Sequence, residues 1–167
     1  MNTKIIPSIF TLANLLLGIV SLIFTMDNEF QIAAIMIILG MVLDGMDGRL
    51  ARRLDATSPF GKELDSLADL VSFGVAPAIL VYAIKMKTFG IFGLVVCVVF
   101  ALCGAIRLAK FNVLNISTYF VGVPITAAGS LVALTVLVGN RLPPAAYPII
   151  MVVLSYLMVS NIKVPKY

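Results

Sequence analysis

The sequence predicts an all-α membrane protein with six transmembrane helices, and three observations carry that expectation. Of the 167 residues, 61% are hydrophobic and only 12% are charged; a soluble domain carries about 25% charged residues. Mean hydropathy is +1.10. Charges, prolines and glycines cut the chain into six apolar runs, and at roughly 20 residues per crossing of the hydrocarbon core, six spans with short loops use the available length. That leaves a single domain, residues 1–167, with no sizeable soluble part. A disordered chain is excluded by the apolar composition, and a disulfide scaffold by the presence of only two cysteines.

The elements follow in order. The first helix spans 5–26 without a charge, too long for the apolar core of a signal peptide, so it reads as a retained helix. Asp27, Asn28 and Glu29 form a polar turn. The second helix runs 30–54, and its last third is polar. Asp55, Ala56 and Thr57 make a tight loop, after which Ser58 and Pro59 have the chemistry of an N-cap and first helical position. The third helix runs 59–85, with Gly74 and Pro77 expected to bend it, because proline removes a backbone donor. A fourth helix, 88–110, holds Cys97 and Cys103, which lack CxxC spacing and read as lipid-buried thiols, and it ends in Arg107 and Lys110. Asn112, Asn115 and Ser117 mark the next loop. The fifth helix spans 121–139, Asn140, Arg141, Pro143 and Pro144 turn the chain, and the sixth spans 145–161 before a basic tail. With the N-terminus in the cytoplasm, nine basic residues (Lys4, Arg49, Arg52, Arg53, Lys62, Arg107, Lys110, Lys163 and Lys166) fall on that side and three (Lys85, Lys87 and Arg141) on the other. This satisfies the positive-inside rule with both termini cytoplasmic. The net charge of +4 is thereby explained by orientation in the membrane, without a nucleic-acid partner. The chain has no His and no Trp, so His-based catalysis is excluded.

Six of the eight acidic residues lie between positions 44 and 69: Asp44, Asp47, Asp55, Glu63, Asp65 and Asp69. A carboxylate at the centre of a membrane helix costs about 2.5–3.5 kcal/mol on insertion scales, so intramembrane acids mark functional sites by default. Asp44 and Asp47 are three apart, Asp65 and Asp69 four apart, so each pair shares a helix face. Gly48 and Ala51 lie on the arc of the first pair with Arg52 at its edge; Gly61 and Ser72 lie on the arc of the second. The tight loop makes the two helices antiparallel neighbours, so the four carboxylates can converge near the cytoplasmic end. Oxygen ligands without His or Cys suit Mg²⁺, Mn²⁺ or Ca²⁺, and two such ions are a standard clamp for displacement at phosphorus. Spacing alone leaves two other readings open: an ion-pair network with Arg49, Arg52, Arg53 and Lys62, or a proton or cation relay.

The stretch Asp44-x2-Asp47-Gly48-x2-Ala51-Arg52-x8-Gly61-x3-Asp65-x3-Asp69 is similar to the signature of the CDP-alcohol phosphotransferases at every fixed position. The segments "IPSIFTLANLLLG", "GKELDSLADLVSFGVAPA", "AIRLAKFN" and "VGVPITAAG" resemble the bacterial integral-membrane phosphatidylserine synthases, a branch of that family, over most of the chain. The resemblance implies transfer of a phosphatidyl group from CDP-diacylglycerol to L-serine, with CMP released. It implies that Asp44, Asp47, Asp65 and Asp69 bind two divalent ions, Mg²⁺ or Mn²⁺, and that Asp69 also deprotonates the serine hydroxyl. Gly48, Arg52 and Ser58 would contact the CDP moiety, Ala51 and Gly61 would make room for the cytosine, and Pro7, Thr11 and Asn14 match the nucleotide-side segment more loosely. The same resemblance implies a homodimer among membrane lipids, with the site facing the cytoplasm of a cell membrane.

A serine substrate needs a partner for its carboxylate. Arg107 and Lys110 lie on the same side as the acids, and Arg suits bidentate binding; Ser72 could meet the serine ammonium or cap a helix-turn carbonyl. Competing readings are another CDP-alcohol phosphotransferase such as a phosphatidylglycerophosphate synthase, whose phosphate-bearing acceptor calls for more basic residues, and a small cation transporter, which should show repeat symmetry.

Overall fold

The computed structural model describes residues 5–53, 58–114, 119–139, 142–160 and 163–165. Among these, the helices form six rods. Helix α1 spans Ile5–Met26 and α2 spans Phe30–Arg53. The third rod is composite: α3 (Pro59–Asp69), a π-helical turn (Leu70–Val75) and α4 (Ala76–Ile84). A short 3₁₀ turn, Met86–Phe89, leads into α5 (Gly90–Leu114), followed by α6 (Ile125–Leu137) and α7 (Ala146–Val159). Two strands of three residues, β1 (Tyr119–Val121) and β2 (Lys163–Pro165), pair antiparallel with Phe120 opposite Val164. Among the described residues this ribbon is the one departure from helices and their connecting turns, and nothing in the hydrophobic pattern announces it. The expected loop 55–57 lies outside the described residues.

Three rods, Ser8–Met26, Pro59–Ile84 and Met86–Val113, are long and apolar enough to cross a membrane, while Phe30–Met46, Ile125–Leu137 and Ala146–Val159 are shorter apolar helices. The protein is therefore a multi-pass membrane protein. Its outer surface carries Ile9, Leu12, Leu16, Ile19 and Ile23 along α1 and Phe92, Val95, Val98, Val99 and Leu102 along α5, all exposed. Contiguous apolar surface on this scale requires an apolar solvent.

The turn between α1 and α2 shows how local chemistry sets the hairpin. Asn28 has φ 63°, the left-handed conformation that Asn tolerates better than most residues. The Glu29 N–H donates to Phe24 O (2.9 Å) and the Asn28 N–H to Thr25 O (3.2 Å), the two bonds of a Schellman cap. Beyond it, Ala33, Ala34, Ile37 and Gly40 of α2 are buried, and the Ser21 hydroxyl of α1 donates to Ala33 O (2.9 Å). Small residues let two backbones approach closely, which is how helices hold together in lipid.

The bend expected in the third helix takes a specific form. Pro77 has no N–H to give Phe73 O four residues back, and the helix widens into the π turn Leu70–Val75. This turn sits at the centre of the molecule, with Ser72, Phe73 and Gly74 buried. Gly129 of α6 packs onto the Phe73 backbone so closely that a Cβ there would overlap it. The core around it includes Ile37, Phe73, Leu80, Phe100, Ile125 and Met151.

The fifth helix begins at Ile125 and not at 121. Gly122 has φ 72°, which ends any helical run, and Pro124 at φ −57° and ψ 141° is the N-cap. A Cβ at Gly122 would stand 2.7 Å from Leu157 O and 2.8 Å from Met158 O, so the chain passes against the end of α7 where only glycine fits.

Candidate metal centre

The polar end of the molecule is assembled from α1, α2, α3 and α5. Ser58 caps α3 as expected: its Oγ accepts from the Gly61 N–H at 3.0 Å, and Pro59 occupies the first turn. The cap fixes the start of the helix and hence the direction in which the next two turns aim Asp65 and Asp69. One carboxylate oxygen each from Asp44 of α2 and from Asp65 and Asp69 of α3 lie within 4.8 Å of one another. Asp69 is buried, and the other two are half-buried. Thus the convergence that the spacing predicted is present for these three residues. The fourth acid, Asp47, lies on α2 with Ala51 and Arg52, and Pro7 lies on α1; their side chains fall outside the described residues.

Three carboxylates this close repel one another unless a cation lies between them. Their chemistry, all oxygen and no sulfur or imidazole, fits a hard divalent ion. Ligand oxygens around one Mg²⁺, at about 2.1 Å from it, stand roughly 3–4 Å apart. The observed spread of up to 4.8 Å needs only a small inward rotation of the side chains. The residues present therefore fit such an ion.

The surroundings are partly as expected and partly not. Among the described residues, nothing lies within 4 Å of where a Cβ would be at Gly48. A Cβ at Gly61 would stand 3.1 Å from Ser58 Oγ. Arg107 of α5 is half-buried within electrostatic range of Asp69, and its buried Nε has no hydrogen-bond partner among the described residues. Lys110, one turn further on, is exposed. Thr11 is 4% exposed and Asn14 is fully buried. The Asn14 side-chain amide donates to Asp69 Oδ1 at 3.3 Å. Ser72 is also fully buried, and its hydroxyl donates to the Asn14 backbone carbonyl at 2.9 Å. Of the two roles open to Ser72, the geometry displays the capping of a carbonyl, on a neighbouring helix.

One cluster escaped the sequence reading. The Asn112 amide donates to Ser66 Oγ (3.0 Å) and to both oxygens of Glu63 (3.3 Å). Lys62 Nζ donates to Asn112 O (3.4 Å) and lies 5.6 Å from the centre of the Phe111 ring. This clasp joins the start of α3 to the end of α5 and so sets the height of Arg107 against the carboxylates. Its only sequence signal was the placing of Phe111 and Asn112 in the segment "AIRLAKFN".

Apolar helices around convergent oxygen ligands, with a half-buried guanidinium alongside, define a class: membrane proteins whose polar end suits a hard divalent ion. Comparison with known proteins shows the family. The sequence profile described as CDP-alcohol phosphatidyltransferase matches residues 4–160, and the chain belongs to that family. The CDP-diacylglycerol–serine O-phosphatidyltransferase of Helicobacter pylori is 39% identical over 170 residues, 96% of this chain and 72% of that protein. The enzyme of the same name from Bacillus subtilis is 37% identical over 97% of this chain and 90% of its own length. That of Methanocaldococcus jannaschii is 38% identical over 94% of this chain and 72% of its own.

Proposed function

We propose that this protein transfers the phosphatidyl group of CDP-diacylglycerol to L-serine, forming phosphatidylserine and CMP. The observation that carries the proposal is the convergence of Asp44, Asp65 and Asp69 in a chain similar along nearly its whole length to enzymes named for that reaction. The serine hydroxyl oxygen attacks the phosphorus that bears the diacylglycerol. Its bond to that phosphorus forms as the bond to the CMP oxygen breaks, and CMP leaves with the electron pair. Asp69 takes the hydroxyl proton, since a free hydroxyl is a weak nucleophile.

Asp44, Asp47, Asp65 and Asp69 hold two divalent ions, Mg²⁺ or Mn²⁺, which supply charge neutralisation at the pyrophosphate. Gly48, Arg52 and Ser58 contact the CDP moiety, Ala51 and Gly61 leave room for the cytosine, and Pro7 and Thr11 belong to the nucleotide-side segment. Arg107 pairs with the serine carboxylate, and Lys110 adds positive charge at the rim. Among the described residues, the space beside Gly48 and the lack of a hydrogen-bond partner at Arg107 Nε support the placements of these two residues. Phosphoryl transfer depends mainly on positioning and charge stabilisation, and both can be supplied by a few side chains at a membrane surface. Six crossings, both termini and the site on the cytoplasmic side, and pairing of two copies complete the reading.

The test is CMP release by purified protein from CDP-diacylglycerol with Mn²⁺ or Mg²⁺ and each candidate alcohol in turn. Release is expected with L-serine and to stop when the metal is chelated. Release only with glycerol 3-phosphate would assign the protein to another branch of the family.

A further inference from the structure

Asn14 lies on α1, outside the two helices that carry the acid cluster, yet its side chain reaches Asp69. It is fully buried. Its amide nitrogen donates to Asp69 Oδ1 at 3.3 Å, while its Oδ1 has no hydrogen-bond partner among the described residues. That oxygen packs against the backbone of Gly40 on α2, where a Cβ would stand only 2.8 Å away. The amide cannot profitably turn over. Reversed, its oxygen would face the carboxylate oxygen it now donates to, setting two acceptors against each other. The Asn14 backbone is itself fixed, because its carbonyl accepts from the buried Ser72 hydroxyl at 2.9 Å. Ser72 in turn fits against Gly18 of α1, where any Cβ would overlap it.

Asp69 and Ser72 are three residues apart, on either side of the junction where the helix widens into the π turn. Both therefore grip the same residue of α1, one by its side chain and one by its backbone. Such a bracket does more than join two helices: it engages one oxygen of Asp69 and fixes where the carboxylate stands.

We infer that Asn14 is a positioning residue for Asp69: its amide holds one carboxylate oxygen so that the other is directed at the metal and the reacting hydroxyl. This rests on the proposed role of Asp69. It differs from a nucleotide-binding role for Asn14, in which the side chain would meet CDP directly. Partners that orient a metal-binding side chain typically contribute 10–100-fold in metal affinity or activity.

The experiment is a double-mutant cycle on purified protein, combining Asn14→Ala with Asp69→Asn, with Mn²⁺ binding to the substrate-free protein as a second readout. Asn14→Ala is expected to lower kcat by 10–100-fold, leave KM for CDP-diacylglycerol within about twofold, and weaken Mn²⁺ binding by a similar 10–100-fold. On the Asp69→Asn background, Asn14→Ala should cost almost nothing further, since residues that act as a unit are not additive. A raised KM for CDP-diacylglycerol at unchanged kcat, or losses that multiply in the double mutant, would overturn the inference. Full activity in Asp69→Asn would instead remove the role of Asp69 itself, a separate failure. If Asn14→Ala does not fold, Gly40→Ala serves in its place. It presses on the same amide oxygen without removing a group, and an unchanged kcat there would equally overturn the inference.

Discussion

Helix α5 and the α2–α3 pair obey opposite rules. Along α5 both faces are apolar: Val95, Val98, Val99 and Leu102 are exposed, while Val96, Cys97 and Phe100 are buried. Hydropathy does not decide which side turns inward. What decides is size, for Gly93 lies against the Met86 backbone carbonyl, too close for a Cβ, and Gly104 against the end of the Ile125 side chain. In α2 and α3 polarity decides. Asp44, Asp65 and Asp69 turn toward one another because lipid gives a carboxylate nowhere else to go. In a membrane, apolar character says only that a segment is immersed. The inward face is marked by small residues in one region and by charge in the other.

The sharpest way to break this comparison is to remove charge from the polar region while keeping its shape. Asp69→Asn preserves size and removes the proposed base, and general-base catalysis contributes about 10²–10⁴-fold. A fall of that size in kcat for CMP release is expected, with the protein still folded by its unfolding midpoint in detergent. The counterpart where size decides is Gly129→Val. Its side chain would enter the Phe73 backbone at the π turn, and backbone cannot move aside as a side chain can. Loss of most folded protein on gel filtration is expected; a normal yield would mean that α6 does not press on that turn. Third comes Arg107→Ala. A hydrogen bond to a charged group is worth about 1.5–3 kcal/mol, so KM for serine should rise by roughly 10–100-fold while KM for CDP-diacylglycerol stays nearly constant. A normal serine KM would remove Arg107 from the acceptor side of the site.

The same contrast governs what could be read from the sequence. The α3 start was legible because Ser58 and Pro59 act locally, and the acid convergence because three- and four-residue spacings fix a helix face. The bend of the third helix was legible from Gly74 and Pro77, but its form as a π turn depends on what packs against it. The start of α6 at Ile125 was missed because hydropathy runs on through Val121–Val123, whereas the backbone is set by Gly122 at positive φ against the α7 carbonyls. Contacts between distant segments left no local mark. Nothing in the run around Asn14 shows that its amide meets Asp69, 55 residues away, and nothing around Asn112 shows that it reaches Ser66 and Glu63.

The smallest effect is also the most diagnostic of lipid as solvent. Val98 is 47% exposed on α5 and Phe100, two residues on, is fully buried. In a water-soluble core, Phe→Ala costs about 3–5 kcal/mol, a transfer term plus a cavity term. Here the unfolded helix also sits in lipid, so the transfer term largely vanishes and the void remains. At about 24 cal/mol per Å³, a void on the order of 100 Å³ gives roughly 2 kcal/mol for Phe100→Ala. Val98→Ala opens no void, because lipid fills the space, and it should stay within about 0.5 kcal/mol. Reversible unfolding in mixed detergent micelles measures both. A Val98→Ala cost equal to that of Phe100→Ala would mean that the outer face of α5 packs against protein, and the division between a lipid-facing and an inward side would have to be redrawn there.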